Sequence, residues 1–312
     1  MASSIQKAAR SLQAAVCELE RRRKSHIFMF IQQDEEHMCH PAMDSIIEAR
    51  DLRHVETLEV IVHSNGGHLE VAYKMAEFFR SRCDHLNMIV PLNAKSAATA
   101  LCLGAENIFM GEFAELGPLD VQLQDPLEKG VHPFSPLDEF KSMEYLEEYA
   151  AEVLDVLTGL IINRSGMSIK EALHVASPVV AQMISPLYHK VDPSKVGGYR
   201  RSLAIGEEYA QRLLTAAGNS DVESLTQQLV WEYPSHDFVI NYSEAKRIGL
   251  PVERLEKSQE KLLLKSLIPI LKHGVSICAL SKPPDQKRER GKRRPSPVPA
   301  IEPEKVHAAT AD

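Results

Sequence analysis

Three features that often reveal a protein's role are absent from this sequence. No apolar run among its 312 residues is long enough for a secretory signal or a membrane-spanning helix, so no membrane span is expected. The five cysteines are an odd number without a Cys-x-x-Cys pair, which excludes a disulfide framework and is typical of a reducing compartment. No Gly-x-Gly-x-x-Gly loop occurs, so no dinucleotide cofactor is expected. The sequence therefore predicts a cytoplasmic protein that works without a cofactor.

Basic charge and metal ligands are also scarce. The 36 Lys and Arg residues are outnumbered by 43 Asp and Glu, giving a net charge of -7, which argues against a nucleic-acid partner. The exception is a basic cluster, Lys287 to Arg294, in a proline-rich tail that we expect to be disordered. His37, Cys39 and His40 are close in sequence but have no fourth ligand at zinc-like spacing, so no metal site is predicted.

Strand and helix patterns alternate from residue 27 to about residue 122, and the pattern is helical after residue 135. This alternation predicts an α/β protein in which parallel βα units stack. We divide the chain into an N-terminal helix for docking or oligomerisation (1–25), a catalytic domain (26–255), an amphipathic helix (256–280) and a disordered tail (281–312). A helix is also predicted over Met43 to Arg53, and a loop over Ser185 to Gly198. Because proline disrupts helix interiors, we expect a helical stretch to end or bend at Pro178 and the last helix to be interrupted at Pro269.

Two strand-to-helix corners carry the residues suited to chemistry. The first, Ser64 to Gly67, follows a strand predicted over Leu58 to His63. The second contains Ser96, which lies between the strand residues Met88 to Val90 and a helix of small residues that begins at Ala97. Acyl transfer requires such a hydroxyl beside main-chain N–H groups that can face a developing oxyanion. Taken singly, a Gly-Gly corner is usually a turn, and a serine at a helix start is usually an N-cap.

Together, these corners and the segment after them resemble the serine dehydrogenase proteinase family. This family is a branch of the ClpP/crotonase superfamily close to signal peptide peptidase A, and its first corner reads Thr or Ser, Pro, Gly, Gly. The matching stretches here are Ser64 to Gly67, Pro91 to Thr99 and Leu116 to Gln122. Asn65 replaces the proline that is common there, and Ala97-Ala98 replaces a frequent Gly-Gly. An alanine at position 97 can adopt fewer φ/ψ angles than a glycine.

The resemblance extends over roughly residues 20–255 and implies a ClpP/crotonase-like spiral of right-handed ββα units with a parallel sheet, plus a helical C-terminal extension. It implies a serine peptidase that cleaves peptide bonds through an acyl-enzyme, with Ser96 as the nucleophile. The oxyanion donors would be the main-chain N–H groups of Ala97 and of Gly67, or of Gly66. Because superfamily members form rings or stacks, a homo-oligomer acting on a peptide or protein substrate is expected.

The base that takes the serine's proton is an open question at the sequence level. Lys141 is the first candidate because the signal peptide peptidase A branch uses a lysine from this region, and its rival interpretation is a solvated helix face. Lys129, beside a glycine, is the second candidate. His236 is a rival base, although its neighbour Asp237 would point to the opposite face of a strand and could not orient it. His63 and His68, which flank the glycine corner, could line the cleft or lie on the surface.

Two other functions compete with the peptidase. A crotonase-type enzyme acting on an acyl thioester would use the same oxyanion hole without a serine, would tolerate Ser96→Ala, and would bind coenzyme A. A non-catalytic scaffold of the same fold would use Ser96 only as a helix cap, and no active-site probe would react with it.

Overall fold

The computed structural model describes residues 2–33, 38–39, 52–119, 136–189 and 191–280. The helices are α1 (Ala2–Arg23), α2 (Leu69–Arg80), α3 (Ala97–Leu103), α4 (Pro136–Ser165), α5 (Ile169–Tyr188), α6 (Pro193–Ala216), α7 (Val222–Gln227), α8 (Tyr242–Arg247) and α9 (Lys257–Lys272). The strands are β1 (His26–Ile31), β2 (Val55–His63), β3 (Cys83–Val90), β4 (Asn93–Ala94), β5 (Asn107–Met110), β6 (Glu115–Leu116), β7 (Ile240–Asn241), β8 (Val252–Arg254) and β9 (Ile277–Leu280).

Most strands join one six-stranded sheet in the order β8-β5-β3-β2-β1-β9. Its neighbouring strands are parallel except for β9, which pairs with β1 in antiparallel orientation. A small sheet, β4-β6-β7, lies after the ends of the central strands. The predicted fold class, α/β with a mostly parallel sheet and a helical C-terminal part, is confirmed.

The main sheet is buried on both faces along β1 and the C-terminal halves of β2 and β3, where the strand residues are mostly apolar. Phe28 and Phe30 of β1 belong to the larger core cluster, which includes buried residues of α2, α3 and α6. Ile27 and Met29, which alternate with them, belong to a second cluster formed with α1 and α9. The N-terminal helix is therefore docked on the sheet of its own chain, which was one of its two predicted roles.

A buried ion pair fastens α1 to the sheet. The guanidinium of Arg23, at the end of α1, donates to both carboxylate oxygens of Glu59 on β2, with its Nη2 2.7 Å from Oε1. The Glu59 side chain is only 2% exposed. Ser25 donates a further hydrogen bond to this carboxylate, and the Arg23 guanidinium also stacks on the ring of Phe109. Each buried charge thus has partners, as its desolvation requires.

Two predictions about prolines need correction. Helix α5 begins with a capping box at Ser168 and continues past Pro178 to Tyr188, so Pro178 does not end it. The predicted loop is largely helical, because Pro193 is the first residue of α6 and the Asp192 carboxylate caps that helix. A proline suits the first turn of a helix, since its missing N–H would have no partner there.

The C-terminal prediction also requires correction. Helix α9 runs through Pro269 to Lys272 without the interruption expected there, and residues 277–280 form the edge strand β9 instead of more helix. The reversal between them uses Gly274 at a φ of 66°. The division into four domains stays a prediction. The predicted helix over Met43 to Arg53 lies outside the described residues except for its last two, and the tail 281–312 lies outside them entirely.

Candidate active site

The two corners meet at the carboxyl ends of β2 and β3. Ser64 forms a parallel bridge with Ala94: its N–H donates to Asn93 and its carbonyl accepts from Lys95. A side chain placed on Gly66 would bring a Cβ within 2.8 Å of the Ser96 Cβ and 3.0 Å of the Ala97 nitrogen. Only a glycine therefore fits at position 66, and the serine lies directly against the diglycine turn.

Ser96 has an unusual backbone conformation, with a φ of 51° and a ψ of -121°. A residue other than glycine pays a free-energy cost of about 1–3 kcal/mol for such angles. Ser96 occupies the N-cap position of α3, yet its side chain makes no capping hydrogen bond there, and its hydroxyl bonds to no other residue that the structure describes. The predicted alternative of a simple helix cap is therefore not what the structure shows. A strained serine on a strand-to-helix turn is the arrangement of a nucleophile elbow.

The residue after the serine needs no glycine. Ala97 is the first residue of α3 and so has helical backbone angles, while the positive φ falls on Ser96. The alanine that stands at position 97 in place of the family's glycine is therefore compatible with the backbone angles of this turn. Because Ala97 is in the first turn, its N–H has no partner within the helix.

Of the two N–H groups of the diglycine turn, that of Gly66 has a hydrogen-bond acceptor, whereas that of Gly67 has none among the residues that the structure describes. The N–H of Gly66 donates to the Ser64 hydroxyl at 3.0 Å. The carbonyl of Gly66 accepts from the Met38 N–H, and the His68 N–H donates to the Met38 carbonyl. The N–H of Gly67 takes part in none of these bonds. Position 67 also requires glycine, because a Cβ there would lie 2.4 Å from the Met38 nitrogen.

Thr99 connects the serine helix to the rim of the site. Its buried hydroxyl donates to the Ala94 carbonyl at 2.6 Å and accepts the Gly117 N–H at 2.9 Å. Gly117 in turn packs on Lys95 and on the Ser96 main chain, where a Cβ would lie 3.3 Å from the Ser96 nitrogen. The segment that contains Gly117 is thus fixed beside the corner that contains Ser96.

Lys141, the first candidate base, is half-buried on α4. Its Nζ donates to the carbonyl of Tyr233 at 2.7 Å, and no hydrogen bond in the described structure joins it to Ser96. It also lines an open cavity of about 420 Å³ together with Ser142, Tyr145 and Leu146. Among the described residues, no carboxylate forms an ion pair with Lys141. The described structure forms no direct pairing between Lys141 and Ser96, and both the catalytic and the solvated-face interpretation of Lys141 stay predictions.

The other candidate residues have different positions. Lys129 lies outside the described residues. His236 is half-buried in the turn before β7, while the adjacent Asp237 is exposed. His63 is buried and its Nδ1 accepts from the Asn93 N–H, so it supports the corner and does not lie on the surface. His68 is exposed and faces Glu70.

The Nζ of Lys95, the residue before the serine, lies 3.3 Å from a carboxylate oxygen of Glu115. The metal hypothesis for His37, Cys39 and His40 falls mostly outside the described residues. Within the described ranges, no group of three or more potential ligands could hold a metal.

No helix in these ranges is both long and apolar enough to cross a membrane. A cytoplasmic location stays a prediction.

Sequence reasoning missed two contributions to the site. One is the residue Gln32, and the other is the side-chain hydroxyl of Ser64. The Ser64 hydroxyl donates to the Gln32 side-chain oxygen at 2.7 Å. Both residues are polar, both are nearly inaccessible, and each directly follows a buried strand. Polar residues at the carboxyl ends of parallel strands are a recognisable signal, because binding sites form at that edge of such sheets.

Comparison with known proteins gives one sequence relative and several structural likenesses. An uncharacterised protein of Methanocaldococcus jannaschii is 25% identical over 196 residues, which are 63% of this chain and 53% of the relative. The chain thus spans about half the length of that protein. No protein-family model matches the sequence.

Three solved structures have a backbone fold similar to that of this chain. A mutant of the 1510-N membrane-bound stomatin-specific protease in complex with a substrate peptide has a TM-score of 0.41 at 11% identity, covering 83% of this chain and 89% of that one. Another mutant of this protease has a TM-score of 0.27 at 13% identity, and the match covers 48% of this chain and 69% of that one. A ClpP1 mutant from Listeria monocytogenes has a TM-score of 0.35 at 12% identity, and the match covers 78% of this chain and 99% of that one. At these identities an activity has to be inferred from this chain's own site.

Proposed function

We propose that this protein is a serine peptidase of the ClpP/crotonase superfamily, in the branch of serine dehydrogenase proteinases, and that it cleaves peptide bonds through an acyl-enzyme. The observation that carries the proposal is Ser96. Its backbone is strained, its hydroxyl bonds to no other described residue, and it lies against a diglycine turn. Strain of this kind persists where the surrounding structure enforces it, and it is common at active sites.

Each step of the reaction has a residue suited to it. The Ser96 Oγ attacks the carbonyl carbon of the substrate while its proton passes to a base. The carbonyl oxygen becomes an oxyanion, and the N–H groups of Gly67 and Ala97 donate to it. The intermediate collapses to an ester on Ser96 as the protonated amine leaves. Water, deprotonated by the same base, then attacks the ester and releases the acid.

Lys141 is our candidate for the base. It is half-buried, and its Nζ donates to the neutral main-chain carbonyl of Tyr233. A lysine can act as a base only as the free amine. A change in the position of α4 or of the Lys141 side chain on substrate binding would have to bring the Nζ to the serine, since catalytic contacts often tighten only in the complex.

The peptidase accounts for Ser96 better than the two alternatives. A crotonase-type enzyme does not need a serine, so nothing would offset the strain at that residue. A scaffold that used Ser96 as a cap would show a hydrogen bond from its side chain to the start of α3, and the structure has none.

A fluorophosphonate probe tests the proposal, because it reacts with activated serines and the product can be located by peptide mapping. We expect modification at Ser96 that is abolished by Ser96→Ala and by Lys141→Ala. Lys129→Ala is the matched control and should label normally. Labelling that survives Ser96→Ala would overturn the peptidase proposal, and loss of labelling in Lys129→Ala alone would move the base to that residue.

We also propose that the chain forms a homo-oligomer through the α4–α5 surface, defined by the exposed apolar residues of these two helices. On α5, the i, i+4 spacing puts four of them in one row: Val175, Val179, Met183 and Leu187. A similar row on α4 contains Tyr145, Tyr149, Val156 and Leu160. The two helices pack on each other, and exposed apolar rows on adjacent helices are typical of a surface that another protein covers.

Sedimentation velocity tests this surface. The wild type should sediment as an oligomer, and Val179→Lys with Met183→Lys should shift it toward the monomer, because a charge in an apolar interface has to be desolvated. The matched control is Glu208→Lys, on the exposed face of α6. A monomeric wild type, or an oligomer that survives the double substitution, would contradict the proposal.

A further inference from the structure

We infer that Ser64, supported by Gln32, is a positioning residue for the oxyanion hole: its hydroxyl fixes the diglycine turn so that the Gly67 N–H faces the reacting carbonyl. This inference rests on the proposed function. Ser64 is 1% exposed and Gln32 is 7% exposed, so neither can be assigned to substrate contact. Both lie at the carboxyl ends of strands that lead into the site.

The Ser64 hydroxyl joins two parts of the structure. It donates to the side-chain oxygen of Gln32 at 2.7 Å and accepts the Gly66 N–H at 3.0 Å. Since a hydroxyl has a single proton, its donation to Gln32 leaves the oxygen lone pairs directed at Gly66. Gln32 itself is anchored, because its N–H donates to the His63 carbonyl at 2.8 Å. The hydroxyl is therefore oriented by a neighbour that cannot easily move.

The hydrogen bond to Gly66 determines which N–H of the turn is available. With its own N–H engaged by Ser64, Gly66 cannot serve as an oxyanion donor without breaking that bond. The Gly66 carbonyl accepts from the Met38 N–H at 2.6 Å. In a trans peptide, the carbonyl and the next N–H point in opposite directions, so the Gly67 N–H is directed away from Met38. The two bonds thus hold the peptide planes on both sides of Gly66.

The main chain alone would not hold this turn. Gly66 and Gly67 have φ values of 99° and 141°, and glycine reaches many other angles at little cost. The bridge from Ser64 to Ala94 fixes the residue before the turn, and the bridge from Met38 fixes its far side. The Ser64 hydroxyl supplies the contact within the turn. Removing it should let the 65–66 peptide rotate, which would disorder the donor without changing the nucleophile or the base.

The test compares rates of phosphonylation at Ser96 in the full-length protein. Ser64→Ala should lower the maximal rate of phosphonylation by about 10–100-fold, somewhat less than the roughly 100–1,000-fold lost when an oxyanion donor is removed outright. The half-saturating probe concentration and the pH profile should stay unchanged, because probe binding and the base are not affected. Gln32→Met should give a smaller decrease. Ser64→Thr, which keeps the hydroxyl and matches the Thr or Ser of the resembling family, should recover most of the rate.

Ser25→Ala is the matched control, because it also removes a buried serine hydroxyl from a polar network, but at the opposite end of β1. It should leave the rate per folded molecule unchanged. A simple loss of folded protein would reduce the amount labelled at completion and not the rate, so the two are measured separately.

The outcomes separate this inference from the proposed function. If the wild type is not modified at Ser96, the peptidase proposal fails and the positioning role fails with it. If the wild type is modified and Ser64→Ala reacts at the wild-type rate, only the positioning role is overturned. An equal rate decrease in Ser25→Ala would also overturn it.

Discussion

Replacing Ser96 with glycine should stabilise this protein while removing the proposed nucleophile. The φ of 51° and ψ of -121° at Ser96 cost a residue with a Cβ about 1–3 kcal/mol, and glycine avoids this cost. Glycine loses about 0.5–1 kcal/mol through the greater freedom of its unfolded chain. Because the serine hydroxyl makes no capping bond, little else is lost. The net gain in the free energy of unfolding should be about 0.5–2 kcal/mol, which corresponds to a rise of roughly 1–4 °C in Tm for a domain of this size.

Urea denaturation followed by circular dichroism, together with calorimetry, would measure this change. Ser96→Ala is the control: it removes the same hydroxyl but keeps the Cβ, so its stability should stay within about 0.5 kcal/mol of the wild type. Lys24→Gly, at the only other described non-glycine position with a positive φ, should also be stabilising. If Ser96→Gly is instead less stable than Ser96→Ala by about 1 kcal/mol, as for an ordinary helix position, the strained elbow does not exist.

Further predictions concern the residues that hold the fold together. Arg23→Met should destabilise the protein by about 3–5 kcal/mol in urea denaturation, because it leaves the buried Glu59 carboxylate without its partner, whereas adding Glu59→Met should recover most of the loss. Thr99→Val should cost about 2–4 kcal/mol by orphaning two buried main-chain groups, and it should slow labelling of the serine. Burial raises the pKa of the Cys83 thiol to about 11 and raises that of Cys102 as well, so at pH 8 both should resist maleimide in mass spectrometry of the native protein.

Each of these results has a contrary outcome. An Arg23→Met loss below about 1 kcal/mol would mean that the pair is solvated like a surface ion pair. A Thr99→Val protein with wild-type stability and labelling would mean that the segment containing Gly117 is held by other contacts. Rapid native labelling of Cys102 would show that α3 opens to solvent. The less buried Cys17, Cys39 and Cys278 serve as internal references for the thiol reaction.

The sequence was a good guide where local patterns agree with the packing. The apolar runs in the C-terminal halves of β2 and β3, each followed by a helical pattern, predicted these strands and their order. The strand β9 was missed because residues 277–280 pair with β1, which is nearly 250 residues away, and no local pattern shows such a contact. The start of α6 was missed because Pro193 occupies the first turn of that helix, where a proline is tolerated. Pro178 lies in the interior of α5, and the packing of that helix overrides the local signal of the proline.

Prediction of the candidate site has the same limits. The proximity of Ser96 to Gly66 and Gly67 followed from two corners at the same edge of a parallel sheet. The conformation of Ser96 did not, because a serine before a helix is normally an N-cap with a negative φ. The Ser64 hydroxyl bond and the link from Lys141 to Tyr233 both depend on side-chain geometry, which spacing along the chain does not determine.

The most direct measurement is a crystal structure of the protein after reaction with a fluorophosphonate, in which the phosphoryl oxygen takes the place of the oxyanion. We predict phosphorus bonded to the Ser96 Oγ and that oxygen about 2.7–3.1 Å from the main-chain nitrogens of Gly67 and Ala97. An adduct on another residue, or a phosphoryl oxygen that faces solvent with neither nitrogen within hydrogen-bond distance, would contradict the account.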